Sequence, residues 1–417
     1  MSPRPRWVFV AVMALCVLGL IRTQRYFGHI YHGWDAQFYY SLAHSLLFDR
    51  DFDVTNNLSS TPDAKPFDPN RDGSWSEAPR RADGGIPSKY PLGMSLVEIP
   101  FLGVGYLLRR AVAFAGWEVP EAVGYSAIEL WCVALGIQLL FSFGLVVLYR
   151  LVADDYGKPA ALLGVFSCWM GTSLFYYSAI FPFMAHAVSF VLLVLVLHAT
   201  RALTTDGPTN RRLAFLGLLL AATFLVRPQQ AVVALFLLPV LVSVIRAHPP
   251  AQWAKGACAG AAACVAAVAA QVAFNYSQLG TVTLSGYSAG GEGFSWLAPR
   301  LSEVLLSPSR GLLVFSPVVA LAARGYFRFA RSVPGYVWPA VGNAVAQVYL
   351  IAAWSSPDQG DSFGARMWSD NSATVAVGLA LSFHRSGSAG RWLLVVAVLL
   401  ATCWTMYQLA RYVGLLG

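Results

Sequence analysis

Charge is scarce in this 417-residue chain: Asp, Glu, Lys and Arg together make up 12%, against 57% hydrophobic residues. A soluble domain carries about 25% charged residues, so a surface wetted on all sides is excluded. Disulfide and zinc frameworks are missing too. Cys16, Cys132, Cys168, Cys258, Cys264 and Cys403 all fall inside apolar runs, with no CxxC pair and no Cys/His cluster. That pattern predicts small buried hydrophobes. The chain has no Gly-rich nucleotide-phosphate loop and no internal repeat of the kind that builds two-halved transporters. The formal charge of +8 does not point to nucleic acid, because the basic residues lie at the ends of apolar runs rather than in a patch.

Apolar runs of membrane-crossing length are abundant. They predict an all-α polytopic membrane protein with spans near 7–21, 125–149, 159–177, 183–200, 213–226, 231–245, 256–274, 311–327, 333–353, 371–384 and 392–410. Residues 1–21 look like a signal sequence, but no small-x-small cleavage site follows, which favours an uncleaved anchor. With Arg4 and Arg6 cytoplasmic, eleven spans place Arg411 outside. The short inner connections then carry Arg150, Lys158, Arg201, Arg211, Arg212, Arg246, Lys255, Arg324, Arg328, Arg331, Arg385 and Arg391. Beyond the first loop, the outer segments hold Arg227, Arg300, Arg310, Arg366 and Arg411. This is the positive-inside asymmetry.

Residues 91–108 are apolar enough to span. A single crossing there would invert every basic connection downstream, so an interfacial helix is expected, with Glu98 and Arg109-Arg110 at its polar edges. A pair of crossings between 91 and 124, giving thirteen spans, would also preserve the parity. The chain thus reads as one membrane domain, 1–417. Residues 22–124 form a long first extracytoplasmic loop, 125–417 form the helical bundle, and no soluble domain follows the last span. That loop holds 12 of the 21 acidic residues, and residues 55–86 within it are Pro/Gly/Asp/Ser-rich and irregular.

Asp35, Tyr39 and Ala43 recur every four residues and so share one face of a short helix with Asp35 in its first turn. An Asp there caps the helix and favours its dipole; it also suits a general base that takes a proton from a hydroxyl. The two roles are compatible. The series Asp49-x-Asp51-x-Asp53 suggests calcium, but Val54 stands where an EF-hand needs glycine and no Glu closes the loop.

The Asp-x-x-x-Tyr-x-x-x-Ala pattern after the first span, with Lys89-Tyr90-Pro91-Leu92-Gly93 further on, resembles the integral-membrane glycosyltransferases of GT-C type. These include protein O-mannosyltransferases, the lipid A aminoarabinose transferase and bacterial lipopolysaccharide-sugar transferases. Segments 176–186, 225–229, 307–317 and 360–366 resemble a bacterial branch of that group. The resemblance implies a bacterial inner-membrane enzyme, an extracytoplasmic site, a sugar donor on a polyprenyl phosphate and a catalytic acidic residue matching Asp35. It departs from better-known members in its second loop, where His186 stands in place of an acidic partner.

Lys89, Arg227, Arg310 and Arg366 are all predicted on the outer side. Each suits an anionic lipid phosphate, which Arg grips bidentately and Lys meets as a point charge; each could equally snorkel to headgroups. Gly360 and Gly364 beside Arg366 let the backbone approach a ligand closely. His186, near the outer end of a span, is a costly polar group and so a candidate contact. Tyr39 and Tyr90, with Tyr31, Trp34, Phe38 and Tyr40, could stack on a sugar or belong to the interfacial aromatic belt. No cofactor is called for, although a loose divalent-ion site at Asp35 is compatible with the sequence. The expected partners are the lipid-linked donor, an acceptor of unknown class and the bilayer. Two other functions fit the same composition: a lipid or sugar transporter or flippase, and a non-catalytic envelope assembly protein.

Overall fold

The computed structural model describes residues 34–59, 81, 84–119, 123–287, 292–360 and 362–415, together with residue 14. Most of the first predicted span, most of the irregular stretch 55–86, and Tyr31 and Cys16 lie outside these residues. Among the described residues the fold is entirely helical apart from one isolated antiparallel bridge between Phe294 and Trp354.

Twelve helices carry the architecture: α1 Trp34–His44, α2 Leu92–Phe114, α3 Ala127–Tyr156, α4 Lys158–Met170, α5 Ala185–Asp206, α6 Asn210–Val226, α7 Val233–Arg246, α8 Ala254–Leu279, α9 Val318–Arg328, α10 Trp338–Ala353, α11 Ala373–Arg385 and α12 Ser388–Tyr412. Seven helical stretches among the described residues are long and apolar enough to cross a membrane: α2, α3, α5, Pro228–Arg246, α8, Gly335–Ala353 and α12. Many large apolar side chains on them face outward, including Leu235, Leu238, Val265, Trp392 and Leu400. Such an apolar exterior is what a lipid solvent requires.

The sequence supplies clear boundary signals. Ser126 caps α3 in a capping box with Glu129, each satisfying an orphan amide of the first turn. Gly157 ends α3 at φ 86°, and Pro159 then enters the first turn of α4. Several predicted spans come out shorter than a bilayer needs. α4 has 13 residues and α11 has 13, the latter preceded by a 3₁₀ turn over Arg366–Ser372. The predicted span 311–327 is divided at Ser316-Pro317 into Leu312–Phe315 and α9.

Residues 91–108 do not stop at 108; α2 continues to Phe114 through Pro100. Its Gly105 meets Glu129 and its Phe101 meets Gly136, so α2 runs antiparallel along the first half of α3. Glu98 is not at a polar edge but fully buried. The cysteines divide: Cys168 is buried, whereas Cys258 and Cys403 are exposed on the apolar exterior.

Helices approach each other at small residues. A Cβ on Gly217 of α6 would lie 2.2 Å from the Gly260 backbone of α8, the close contact small residues permit between helices in lipid. At one end of the bundle Arg201 bridges Asp154 and Asp155, Tyr336 donates to Asp155, and His384 meets the Tyr156 carbonyl. From Arg201 back to His186, α5 rises roughly 22 Å at 1.5 Å per residue. The polar pocket described next therefore sits in the other half of the bundle.

Candidate active site

Five helix ends or connecting segments converge on one pocket. α1 delivers Asp35 in its first turn and Tyr39 one turn later. The segment before α2 delivers Lys89 and Tyr90. α5 begins at Ala185-His186 after the irregular residues 181–184, and Arg227 follows the end of α6, where its φ of −149° and Pro228 take the chain out of the helix. Arg366 opens the 3₁₀ turn ahead of α11. Together with Tyr287, Glu292, Trp354, Gln229 and Met367 these line a cavity of about 560 Å³, counting its open mouth.

Both carboxylate oxygens of Asp35 are engaged. Oδ1 accepts from the Tyr90 hydroxyl at 3.0 Å, and Oδ2 pairs with Arg366 Nη1 at 3.2 Å. Burial pushes the Asp35 carboxyl up, but Arg366, the Tyr90 hydrogen bond and Lys89 outweigh it and hold it below the ordinary aspartate value. Burial together with the Asp35 charge drives the Tyr90 hydroxyl well above the usual phenol range, so it remains a donor. Asp35 keeps Arg366 charged despite burial. Tyr39 packs edge-on against Tyr90 at 5.5 Å.

Lys89 Nζ lies 2.5 Å from Glu292 Oε1 and over the rings of Tyr90 and Tyr287 at 5.7 and 5.3 Å. The segment bearing Tyr287 closes over Lys89 because residue 286 is glycine; a Cβ there would lie 2.4 Å from the Lys89 carbonyl oxygen. Behind the pocket wall sits Asp370, fully buried. It takes Arg227 Nε at 3.1 Å on Oδ2, Gln230 Nε2 at 3.1 Å on Oδ2, and His186 Nδ1 at 2.9 Å on Oδ1. The His186 ring is wedged between Asp370 and Arg227, with Arg227 Nη1 2.5 Å from Nδ1 and 3.3 Å from Nε2. Asn343 extends this network by donating to Gln230 and Asn371.

Of the eight residues expected from the sequence, seven line this cavity: Asp35, Tyr39, Lys89, Tyr90, His186, Arg227 and Arg366. Arg310 does not. It is held outside the lining, with Nε on the Ser362 carbonyl at 3.3 Å and Nη1 4.0 Å from Asp358, because the Ser-Pro-Ser-Arg turn points it along the chain toward 358–362. The sequence reading found His186 in the second loop, where better-known members of the resembled family have an acidic residue; in the structure His186 meets an acidic residue, Asp370, from 184 residues away. Its signal was a lone Asp entering an apolar run, a costly placement in a bundle interior. Tyr287 and Glu292 were missed because no periodic pattern marks the segment that carries them, and Trp354 because it directly follows the predicted span 333–353. Among the described residues no group of three or more His, Cys, Asp or Glu gathers as metal ligands.

These features define a polytopic helical membrane protein with a buried, charge-lined pocket. No protein-family model matches the chain, and neither curated proteins nor solved structures give a match.

Proposed function

We propose that the protein is a GT-C-type glycosyltransferase of a bacterial inner membrane. It would move a sugar from a polyprenyl-phosphate donor to an acceptor hydroxyl on the extracytoplasmic side. The observation that supports this reading is the juxtaposition of a carboxylate, Asp35, with Arg366, Lys89 and Arg227 around one cavity. The basic residues at the opposite end of the bundle fit a cytoplasmic face there.

In this mechanism the donor's phosphodiester is held by Lys89, Arg366 and Arg227. The acceptor oxygen attacks the anomeric carbon, its proton passes to Asp35, and the carbon–oxygen bond to phosphate breaks with its electron pair leaving on the phosphate. The cations stabilise the second negative charge that develops on the phosphate. Base and leaving group lie on opposite faces of the sugar, so the anomeric centre inverts. Arg366 holds Asp35 ionised but weakly basic. Engaging Arg366 with the donor phosphate relaxes that hold and raises the basicity of Asp35 when a substrate is present.

The buried Asp370–Arg227–His186 network at the ends of interrupted helices is also what a transporter for lipid-linked sugar would contain. The two readings part on chemistry. Purified protein incubated with a panel of polyprenyl-phosphate sugars and membrane extract should yield covalently transferred sugar, and Asp35→Asn should abolish transfer while the protein stays folded. Translocation of donor with its sugar–phosphate bond intact, unaffected by Asp35→Asn, would establish a transporter instead.

A further inference from the structure

Each cation around the pocket already has a carboxylate: Arg366 has Asp35 at 3.2 Å, Arg227 has Asp370 at 3.1 Å and Lys89 has Glu292 at 2.5 Å. An anion entering the pocket has to take the place of one of them, since adding net charge to a buried site is costly. The three carboxylates are not equally held. Asp370 receives three partners and lies behind the wall. Asp35 receives Tyr90 as well as Arg366. Glu292 has Lys89 on one oxygen, and its other oxygen is buried without a hydrogen-bond partner among the described residues. A buried acceptor left without a hydrogen bond is costly, so the pocket is least well satisfied at Glu292. Its backbone is fixed, because Ser295 N donates to the Ala353 carbonyl and Ser355 N to the Gly293 carbonyl. A change at this position is therefore a rotation of the side chain alone.

We infer that Glu292 occupies the place on Lys89 that the donor's phosphate takes, and that it is the residue that sets the charge of the ligand admitted. The inference rests on the phosphodiester donor proposed above and adds the residue that discriminates its charge. A phosphodiester carries one negative charge and replaces the carboxylate one for one. A diphosphate diester carries two and leaves the pocket with an unmatched charge. Glu292 thus admits a monophosphate-linked lipid and disfavours a diphosphate-linked one. Once displaced, its carboxylate turns toward the exposed residues that follow it and takes its charge out of the buried site.

Binding by the purified full-length protein in detergent, read by titration calorimetry, tests this without relying on turnover. The probes are farnesyl methyl phosphate, farnesyl methyl diphosphate and farnesol. Glu292→Gln should bind the phosphodiester about tenfold more tightly than the unaltered protein, since a like charge a few ångströms away is removed. It should gain still more on the diphosphate. Glu292→Asp, one methylene shorter, should fall between them, and it decides the matter alone should the Gln variant not fold. Unchanged affinities in a protein that still binds the phosphodiester would overturn the role of Glu292 and leave the proposed function standing. Failure of the folded protein to bind the phosphodiester at all would remove the lipid-phosphate donor, and this inference with it.

Discussion

Replacing Asp370 with Asn keeps the side chain's shape and removes its charge, which isolates what that charge does. The residue is fully buried, and its oxygens receive Arg227 at 3.1 Å, His186 at 2.9 Å and Gln230 at 3.1 Å. Arg227 is itself only 7% exposed, so the variant leaves a guanidinium in the interior without its counter-charge. Breaking a buried pair from one side costs about 3–5 kcal/mol, mostly because the remaining charge is stranded. Equilibrium unfolding in mixed micelles, followed by far-UV circular dichroism, should show that loss. Adding Arg227→Gln to Asp370→Asn removes the stranded charge and should recover at least about 1 kcal/mol, because contacting residues do not contribute additively. A cost below about 1 kcal/mol for Asp370→Asn, or a double variant no more stable than the single, would refute the argument that the pair holds the pocket wall together.

Asp35→Asn should lower transfer by about 10²–10⁴-fold, the usual contribution of a general base. Because the Asp35 carboxyl is held below 3.8 in the folded protein, kcat/KM of the unaltered enzyme should show no acid limb from this group until the pH drops below that value. The same shift makes ionised Asp35 stabilising above its unfolded pKa, and that stability disappears as pH falls through the folded one. The unfolding curves of the unaltered protein and Asp35→Asn should therefore differ at pH 7 and converge in strong acid. Arg366→Lys, which loses the planar fork, should raise KM for donor by about tenfold or more, whereas Arg310→Lys, outside the cavity, should change it less than about twofold. Gly217→Val would drive a side chain into the Gly260 backbone and should destabilise α6 against α8 by about 1–3 kcal/mol in the same unfolding assay.

The helical membrane architecture was legible because hydropathy and basic-residue placement are local and additive along the chain. His186, Arg227 and Arg366 were legible for a related reason, since each is a polar residue at the edge of an apolar run, where the cost of burial singles it out. Asp35, Tyr39, Lys89 and Tyr90 lie in the long outer loop and stood out by helical spacing and by the motifs they form. What could not be read was which of these edges meet. Asp370 looked like the polar start of a span, and nothing near it in sequence announces Arg227 or His186. Arg310 satisfied the same local criterion as Arg366, yet its turn carries it to the Ser362 carbonyl rather than into the cavity. The count of spans failed to emerge for a physical reason as well. Pro317, Pro228 and the polar run Ser369-Asp370-Asn371-Ser372 interrupt apolar stretches, and such interruptions are tolerated where the freed backbone faces protein or a cavity rather than lipid.

The pairing of charges in the pocket bears on how the proposed transfer proceeds in so apolar a setting. Before reaction the phosphodiester carries one negative charge and Asp35 another. After it the phosphate carries two and the protonated Asp35 none. The step therefore moves charge from the carboxylate to the phosphate without changing the total, and Arg366, 3.2 Å from Asp35, is placed to follow it. A nearly neutral cavity with cations shared between base and leaving group needs little solvent reorganisation for such a step. It also explains why each cation is matched in the resting protein: an unmatched guanidinium or ammonium at this depth would destabilise the fold before any donor arrived. The same matching leaves one carboxylate, Glu292, less well satisfied than the others, so the stability of the empty pocket and its readiness to accept an anion have a common origin.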